Sequence, residues 1–299
     1  MTSPPVSLFI NPAAGRGRTS RRIARIEKIF NDAGVRVRLI TSRAVGDLEQ
    51  QVGSQVQSGS SRIVVAGGDG SVHEAVNGIM HARSSAALGV IPSGTGNDFA
   101  KACSIPLDWE QATRLLAGRL AANVISLKID LGRMNDRYFA NGAGIGFDAK
   151  VTEIARSYRW PIGDLVYLVA IFRGMIDGIA TPGISIAADQ IQWQGPVTLV
   201  NVCNGPWIGG MFHIAPMADN SDGQLELLIA DPVSRLRIVS LLPKLMRGKH
   251  LDEPELHHAS VRHLEIAASA PVPSHLDGEV QPLGQTFEIE ILPGALSLL

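Results

Sequence analysis

Three stretches of this 299-residue chain set glycine among small polar residues, each between an apolar run and a periodic one: Asn11-Pro12 to Gly17, Gly67-Gly68-Asp69-Gly70, and Pro92-Ser93-Gly94-Thr95-Gly96-Asn97. Glycine lets the backbone approach a ligand closely, and a helix starting there offers free N–H groups and a positive dipole end, a combination that binds phosphate. One such turn would be ordinary strand–helix packing. Three on one parallel sheet gather at its carboxyl edge, where doubly wound folds bind nucleotides. The phosphate loop G-x-x-x-x-G-K-S/T is absent, and Gly248-Lys249-His250 does not complete it, so the cradle is of another type. Gly142-Ala143-Gly144-Ile145-Gly146-Phe147 is close to a dinucleotide fingerprint but carries Phe147 where the third glycine belongs, which argues against a dehydrogenase.

The remaining candidates are carboxylates. His275-Leu276-Asp277-Gly278-Glu279 sets two acids around a glycine and, taken alone, reads as a surface turn, because Asp-Gly favours tight reversals. Asp219-Asn220-Ser221-Asp222-Gly223-Gln224 reads alone as a polar turn. His257, His258 and His263 lack the spacing of a metal site and read as a solvated face. Cys103 and Cys203 are too far apart in sequence for a zinc or dithiol motif and fit a reducing cytoplasm.

These turns need elements to hold them. Val6 to Ile10 is apolar, Ser20 to Ala33 is periodic, Val35 to Ile40 alternates, Asp47 to Gln57 reads as a helix and Arg62 to Ala66 as a buried strand. That β-α-β-α-β order predicts a parallel sheet flanked by helices. Ser71 with Glu74 forms a capping box that starts a helix at Ser71, with Val72, Ala75, Val76 and Ile79 on its apolar face and His73, Glu74 and Asn77 on its polar one. Leu88 to Ile91 is a further strand, and a helix follows from Asp98. Beyond about residue 124 short alternating strands take over: Ile125 to Arg133, Arg137 to Asn141, Gln190 to Trp193, Val197 to Cys203, Leu225 to Ala230, His263 to Ala267 and Thr286 to Leu292. This is antiparallel β. One helix interrupts it, with Leu165, Val166, Leu168, Val169, Ile171, Phe172, Met175 and Ile176 in a wide stripe and Asp164, Arg173 and Asp177 elsewhere. Such a stripe serves either a core or a lipid-facing surface.

The length predicts two domains. With 45% hydrophobic residues and a net charge of −1, the chain is an ordinary folded protein and not a dedicated nucleic-acid binder. Between Arg16 and Arg43, however, nine basic residues face only Glu27 and Asp32. An anion- or lipid-binding patch and a solvated helix face account for this equally well. Met1 to Ser7 shows no signal pattern, and no run approaches ~20 apolar residues, so a soluble protein, at most bound to a membrane surface, is expected.

Asn11-Pro12 with Gly15 and Gly17, Gly67 to Ser71, and Pro92 to Phe99 together resemble the diacylglycerol kinase and sphingosine kinase catalytic family, nearest its bacterial lipid kinases. Gly144-Ile145-Gly146-Phe147-Asp148, Ser221-Asp222-Gly223 and Asp277-Gly278-Glu279 extend the likeness in order over nearly the whole chain. Ser71 stands where that family usually has threonine, which keeps a hydroxyl. The resemblance implies a nucleotide cleft between an N-terminal α/β domain, residues 1–124 with 288–299 returning to it, and a mainly antiparallel β-sandwich lipid-binding domain, residues 125–287. It places Asn11, Thr41, Gly67, Gly68, Asp69, Gly70, Ser93, Gly94, Thr95 and Asn97 around ATP, with the turns holding phosphates by backbone contacts. It makes Asp277 the general base for a lipid hydroxyl and Glu279 a contact to the nucleotide or its metal. Asp222 matches a structural Mg²⁺ ligand, joined by the carbonyls of Asp219 and Gln224. Asp148 matches a contact to the lipid head, residues 152–178 resemble lipid-side helices, and Arg156 and Arg159 would meet lipid phosphates or water.

The implied reaction is ATP- and Mg²⁺-dependent phosphorylation of a lipid hydroxyl, that of diacylglycerol foremost. NAD kinase, whose family shares a Gly-Gly-Asp-Gly turn, is the soluble-substrate alternative. A sensing module that binds nucleotide or lipid without catalysis is another, disfavoured by intact Asp69, Asp277 and Glu279. The reading expects a lipid substrate at a membrane surface, no nucleic acid, and a cytoplasmic protein able to sit on the inner face of the membrane. Peripheral membrane contact and a homodimer are compatible with it.

Overall fold

A computed structural model describes residues 5–12, 18–124, 127–158, 163, 165–189 and 191–299. Gly15, Arg16, Gly17, Ile125, Arg159, Asp164 and Gln190, which carry parts of the sequence reading, lie outside the described residues. The chain divides into two compact units, Met1–Ile129 with Gly294–Leu299, and Asp130–Pro293. These borders fall a few residues beyond those expected, because the strands at both borders run on past the breaks in composition.

The first unit runs β1 (Val6–Ile10), α1 (Arg18–Asp32), β2 (Val37–Thr41), α2 (Asp47–Gln57), β3 (Arg62–Gly67), α3 (Asp69–His81), β4 (Ala87–Pro92), α4 (Asp98–Ala102) and α5 (Trp109–Ala121). Its strands are all parallel in the order β2-β1-β3-β4, and Ser297-Leu298 at the chain's end adds beside Ala87-Leu88. Parallel strands covered on both faces must be apolar throughout. Leu8, Phe9, Ile10, Ile63, Val64, Val65 and Ala66 are accordingly buried, and Leu8, Ile10, Val64 and Ala66 pack against Ile26 and Phe30 of α1 and Leu116 and Leu120 of α5. Part of the basic patch serves this packing: Arg22 lies 5.0 Å over the Trp109 ring, and Arg25 pairs with Glu110 at 2.7 Å.

Helix α3 departs from the sequence reading in two ways. It begins at Asp69, with Gly68 as N-cap and no side-chain cap, so Ser71 lies inside the first turn. The supposed capping partner Glu74 instead accepts the Leu48 and Glu49 N–H groups at the start of α2, at 3.0 and 3.3 Å. His73 and Asn77, expected on a polar face, are buried, with Asn77 Nδ2 donating to the His73 carbonyl at 2.9 Å. The cause is α2, which crosses so closely that a Cβ on Gly78 would stand 2.5 Å from the Glu49 carbonyl oxygen.

The second unit contains β5 (Leu127–Met134), whose start precedes the border, β6 (Arg137–Phe139), β7 (Gly142–Gly146), α6 (Phe147–Ser157), α7 (Leu165–Asp177), β8 (Gly183–Ala188), β9 (Ile191–Pro196), β10 (Leu199–Cys203), β11 (Leu225–Ala230), α8 (Arg235–Leu245), β12 (Leu256–Val261), β13 (His263–Leu276) and β14 (Glu279–Leu298), which runs past the border. Its strand pairs are antiparallel along β12-β11-β10-β7-β13-β14. Strand β13 changes partner along its length, from β8 at Leu264–Ala268 to β7 at Ser274–Leu276, with register shifts between. The bent β13–β14 hairpin thereby closes a β-sandwich over Phe139, Ile145, Val200, Val202, Leu227, Leu264, Ile266, Phe287 and Ile289. Helices α6, α7 and α8 share a separate apolar cluster that includes Phe147, Ile171, Met175, Ile238 and Leu242. Burial pushes the Cys203 thiol far up, which leaves it protonated and inert. Among the described residues no helix is long and apolar enough to cross a membrane.

Candidate active site

In the first unit the ends of β3 and β4 bring two glycine-rich turns together, with Asn11 at the end of β1 beside them. The Ser93 N–H donates to the Gly67 carbonyl at 2.8 Å, and the Asp69 carboxylate accepts the Phe99 N–H at 3.1 Å, near the start of α4. Asn11 Nδ2 reaches Ser71 Oγ at 3.2 Å and so ties the end of β1 to α3. Gly68 and Gly94 touch backbone to backbone: a Cβ on Gly94 would lie 2.6 Å from Gly68 Cα, and one on Gly68 would lie 2.9 Å from Gly94 Cα. Asn97, at φ 52°, closes the third turn, its Oδ1 accepting the Gly94 N–H at 2.9 Å. Thr41 stands level with Ile10 at the end of β2, Thr95 is exposed at the tip of its turn, and Gly70 lies in the first turn of α3. Side chains serve the amides at the starts of α2 and α4, from Glu74 and Asp69, whereas α3 begins without a side-chain cap. The amides and positive dipole end of α3 therefore suit an anionic ligand at this edge.

In the second unit Asp277 and Gly278 form the two-residue loop of the β13–β14 hairpin, with φ of 50° and 83°. The surface-turn reading is thus correct as geometry, yet the Asp277 side chain turns inward. Its Oδ2 accepts the Ala140 N–H at 2.9 Å, and its Oδ1 accepts those of Asn141 and Gly142 at 2.8 and 3.0 Å. A carboxylate offers about four acceptor positions, so at most one serves a hydroxyl. The donor segment is itself anchored by Asn204, fully buried, whose Nδ2 donates to the carbonyls of Asp130 and Ala140 at 2.9 and 2.8 Å. Glu279 is ion-paired with Arg156 of α6, and Arg156 Nη1 also donates to the Gly278 carbonyl at 3.0 Å. Arg156, expected to meet lipid phosphate or water, is part-exposed and also braces this turn.

Asp148, at the start of α6, is held by a residue the sequence reading passed over. Fully buried His275 lies with Nε2 2.9 Å from Asp148 Oδ2, while its Nδ1 accepts the Gly278 N–H at 3.2 Å. Those partners assign the ring proton to Nε2, which donates to the carboxylate. The pair depends on Gly144 of β7: a Cβ there would meet Asp148 Oδ2 at 2.2 Å and His275 Nε2 at 2.4 Å. A glycine inside a strand is the sequence signal of such close approach.

Residues 5–133 match the diacylglycerol kinase catalytic domain, and residues 142–299 match the YegS C-terminal NAD kinase beta sandwich-like domain. A probable YegS-like lipid kinase of Serratia proteamaculans (strain 568) is 33% identical, over 99% of this chain and 94% of its own. The chain belongs to the bacterial YegS and diacylglycerol kinase family of lipid kinases. Diacylglycerol kinase of Bacillus subtilis (strain 168) is 27% identical over 91% of this chain and 88% of its own. The fold of this lipid kinase is also that of a diacylglycerol kinase from Bacillus anthracis str. Sterne, with a TM-score of 0.73, 21% identity and coverage of 98% and 96%. It is accordingly an ATP-dependent kinase.

The third carboxylate group of the kinase lies in the turn before β11. Asp219 Oδ1 accepts the Ser221 N–H at 3.0 Å, Asp222 Oδ1 accepts the Gln224 N–H at 2.9 Å, and buried Asp130 accepts the Gly223 N–H at 2.7 Å. Among the described residues no three His, Cys, Asp or Glu side chains are grouped to hold a metal. A cation here would rely on main-chain carbonyls as well, and the donors are all oxygen, which fits a hard ion.

His275→Phe puts a slightly larger ring in the same buried place and removes both hydrogen bonds. It is expected to lower turnover by about 10–100-fold, through loss of alignment at Asp148 and the 277–278 turn. ATP affinity, read by calorimetry, is expected to be unchanged if the glycine-rich turns of the other unit hold the nucleotide. Unaltered turnover would show that the pair has no part in positioning.

Proposed function

We propose that this kinase transfers the γ-phosphoryl group of ATP to the free hydroxyl of diacylglycerol at a membrane surface. The observation that carries the choice of a lipid acceptor is the setting of the Asp277 turn. Gly278 is tied to α6 through Arg156 and lies near Tyr167 of α7, whose hydroxyl is 3.9 Å from where a Gly278 Cβ would be. Helix α7 buries Ala170, Ile171, Gly174 and Met175 while exposing Leu165, Phe172 and Ile176. The apolar stripe thus serves core and surface at once, and its outer face suits acyl chains better than a soluble dinucleotide.

In this reading the first turn of α3 and the joined Gly68 and Gly94 turns take the phosphates. Asp277 orients the acceptor hydroxyl, whose oxygen bonds to the γ-phosphorus as the bond to ADP breaks and whose proton passes to the carboxylate. A loose transition state asks mainly for positioning and charge neutralisation, so an anion fixed by three amides suits the task. Asp148, aligned by His275, contacts the polar end of the lipid. Mg²⁺ would be held by the Asp222 carboxylate and the carbonyls of Asp219 and Gln224, supplying positive charge that steadies this turn. Glu279 would contact the nucleotide or its metal, in exchange for its pairing with Arg156.

The test offers purified protein labelled ATP with diacylglycerol, sphingosine, phosphatidylglycerol or NAD. Labelled phosphatidic acid from diacylglycerol is the expected product. Labelled NADP alone would replace the lipid acceptor with a dinucleotide, and ATP binding without any labelled product would leave a sensing module.

A further inference from the structure

Helix α8 has an outer face that the phosphoryl-transfer site does not use. It buries Ile238 and Leu242 against the cluster it shares with α6 and α7. Leu236, Val239, Pro243 and Met246 are exposed, and Leu236 leaves 85% of its surface in water. At helical spacing these four form one exposed stripe that runs beside the buried face of Ile238 and Leu242.

The charges carried by the helix and the turn after it are all basic, while Glu253 and Glu255 pack against two of them. Between Ser234 and His250 stand Arg235, Arg237, Lys244, Arg247 and Lys249, with no acid. Arg237 is held by Glu253 and Glu255, and Lys244 by Glu253. Arg235, Arg247 and Lys249 make no ion pair among the described residues. Arg235 and Arg247 fall on either flank of the stripe, so apolar residues project between two cations. A basic amphipathic helix with this layout lies in the plane of a bilayer, its apolar edge among the acyl chains and its cations on lipid phosphates.

We infer that α8 docks the protein on anionic bilayers, peripherally, through Leu236, Val239 and Met246 with Arg235 and Arg247. A second copy of the chain fits this face poorly, because a twofold contact over the stripe would set Arg235 and Arg247 against their own like. The face is also a single convex helix edge and not a groove, a shape that a deformable bilayer accepts. The inference rests on the lipid-kinase reading only for its purpose.

Its test is sedimentation of the full-length protein, without ATP, with vesicles of phosphatidylcholine alone or mixed with phosphatidylglycerol. Native protein should sediment with the mixed vesicles and be released by salt. Arg235→Glu with Arg247→Glu should weaken that binding by about tenfold or more, and Leu236→Ser with Met246→Ser should weaken it at any salt concentration. Turnover on a dispersed short-chain diacylglycerol should stay native in both variants. Native-like sedimentation of both variants would overturn the proposal. So would a fall in solution mass on either substitution, which would assign the face to a second copy. A failure of the native protein to phosphorylate any lipid would end the acceptor reading and leave the sedimentation result standing by itself.

Discussion

Asp277→Asn is expected to abolish most turnover, by about 10²–10⁴-fold, while leaving ATP binding close to native. Asparagine is the informative replacement because it leaves the backbone undisturbed. Residue 277 has φ 50° and precedes Gly278 in a two-residue hairpin loop, a place where Asn-Gly is as well suited as Asp-Gly. What changes is one oxygen. Two of the acceptors' three donors converge on Oδ1 and the third on Oδ2, so either orientation of the amide sets its NH₂ against a backbone N–H. An unmet buried amide costs about 1–3 kcal/mol, and a unit of this size should lose about 2–4 °C in melting temperature for each kcal/mol. Turnover, ATP titration and thermal unfolding together separate the roles. Native turnover would remove the carboxylate from the chemistry. Loss of ATP binding alongside turnover would mean that the substitution acts well beyond the 140–142 segment and would not support a local role.

The parts of this fold legible in the sequence are those where a single local rule decides. The strands β1, β3 and β4 are apolar runs because both faces of a parallel sheet are covered, and the glycine-rich stretches that follow them in the sequence mark where each run stops. The misread start of α3 shows the limit of such rules. Ser71 and Glu74 have capping-box spacing, yet Glu74 caps α2 instead, a tertiary choice with no local signal. Strands β13 and β14 were read as short because Pro271, Pro273, Gly284 and Pro293 break their alternation, although β13 continues through register shifts at Val272. Helix α8 carries no clear signal in the sequence because its apolar residues divide between a buried and an exposed side and Pro243 interrupts the run. At the site, family resemblance points to Asp277, whose residues alone read as a surface turn, and to Asp148, which no local pattern singles out. The amides of residues 140–142 and the ring of His275 come from far along the chain, and only packing brings them to those carboxylates.

Gly94→Ala is expected to reduce ATP affinity at least tenfold, about 1.4 kcal/mol, and Gly68→Ala to do nearly the same. The reason is contact and not backbone strain at Gly68, whose φ of −100° any residue adopts. Each added methyl would press on the opposite backbone, at 2.6 Å for residue 94 and 2.9 Å for residue 68, and the Gly94 methyl would also crowd Asn97 Oδ1 at 2.9 Å. Backbone atoms yield less than the tips of side chains, so the two turns must separate, at an overpacking cost of about 1–3 kcal/mol. Separation moves the uncapped first turn of α3 away from the turn after β4, and the phosphates lose one of the two walls proposed for them. Gly118→Ala serves as the control. It lies in α5 with nothing within 4 Å of its added Cβ, and replacing a helical glycine with alanine should raise stability by about 0.5–1 kcal/mol. Calorimetric titration with ATP and thermal unfolding of the three variants decide the matter. If the residue 94 variant binds ATP as tightly as the residue 118 control, the joined turns do not hold the triphosphate, and the nucleotide must be sought elsewhere in the first unit.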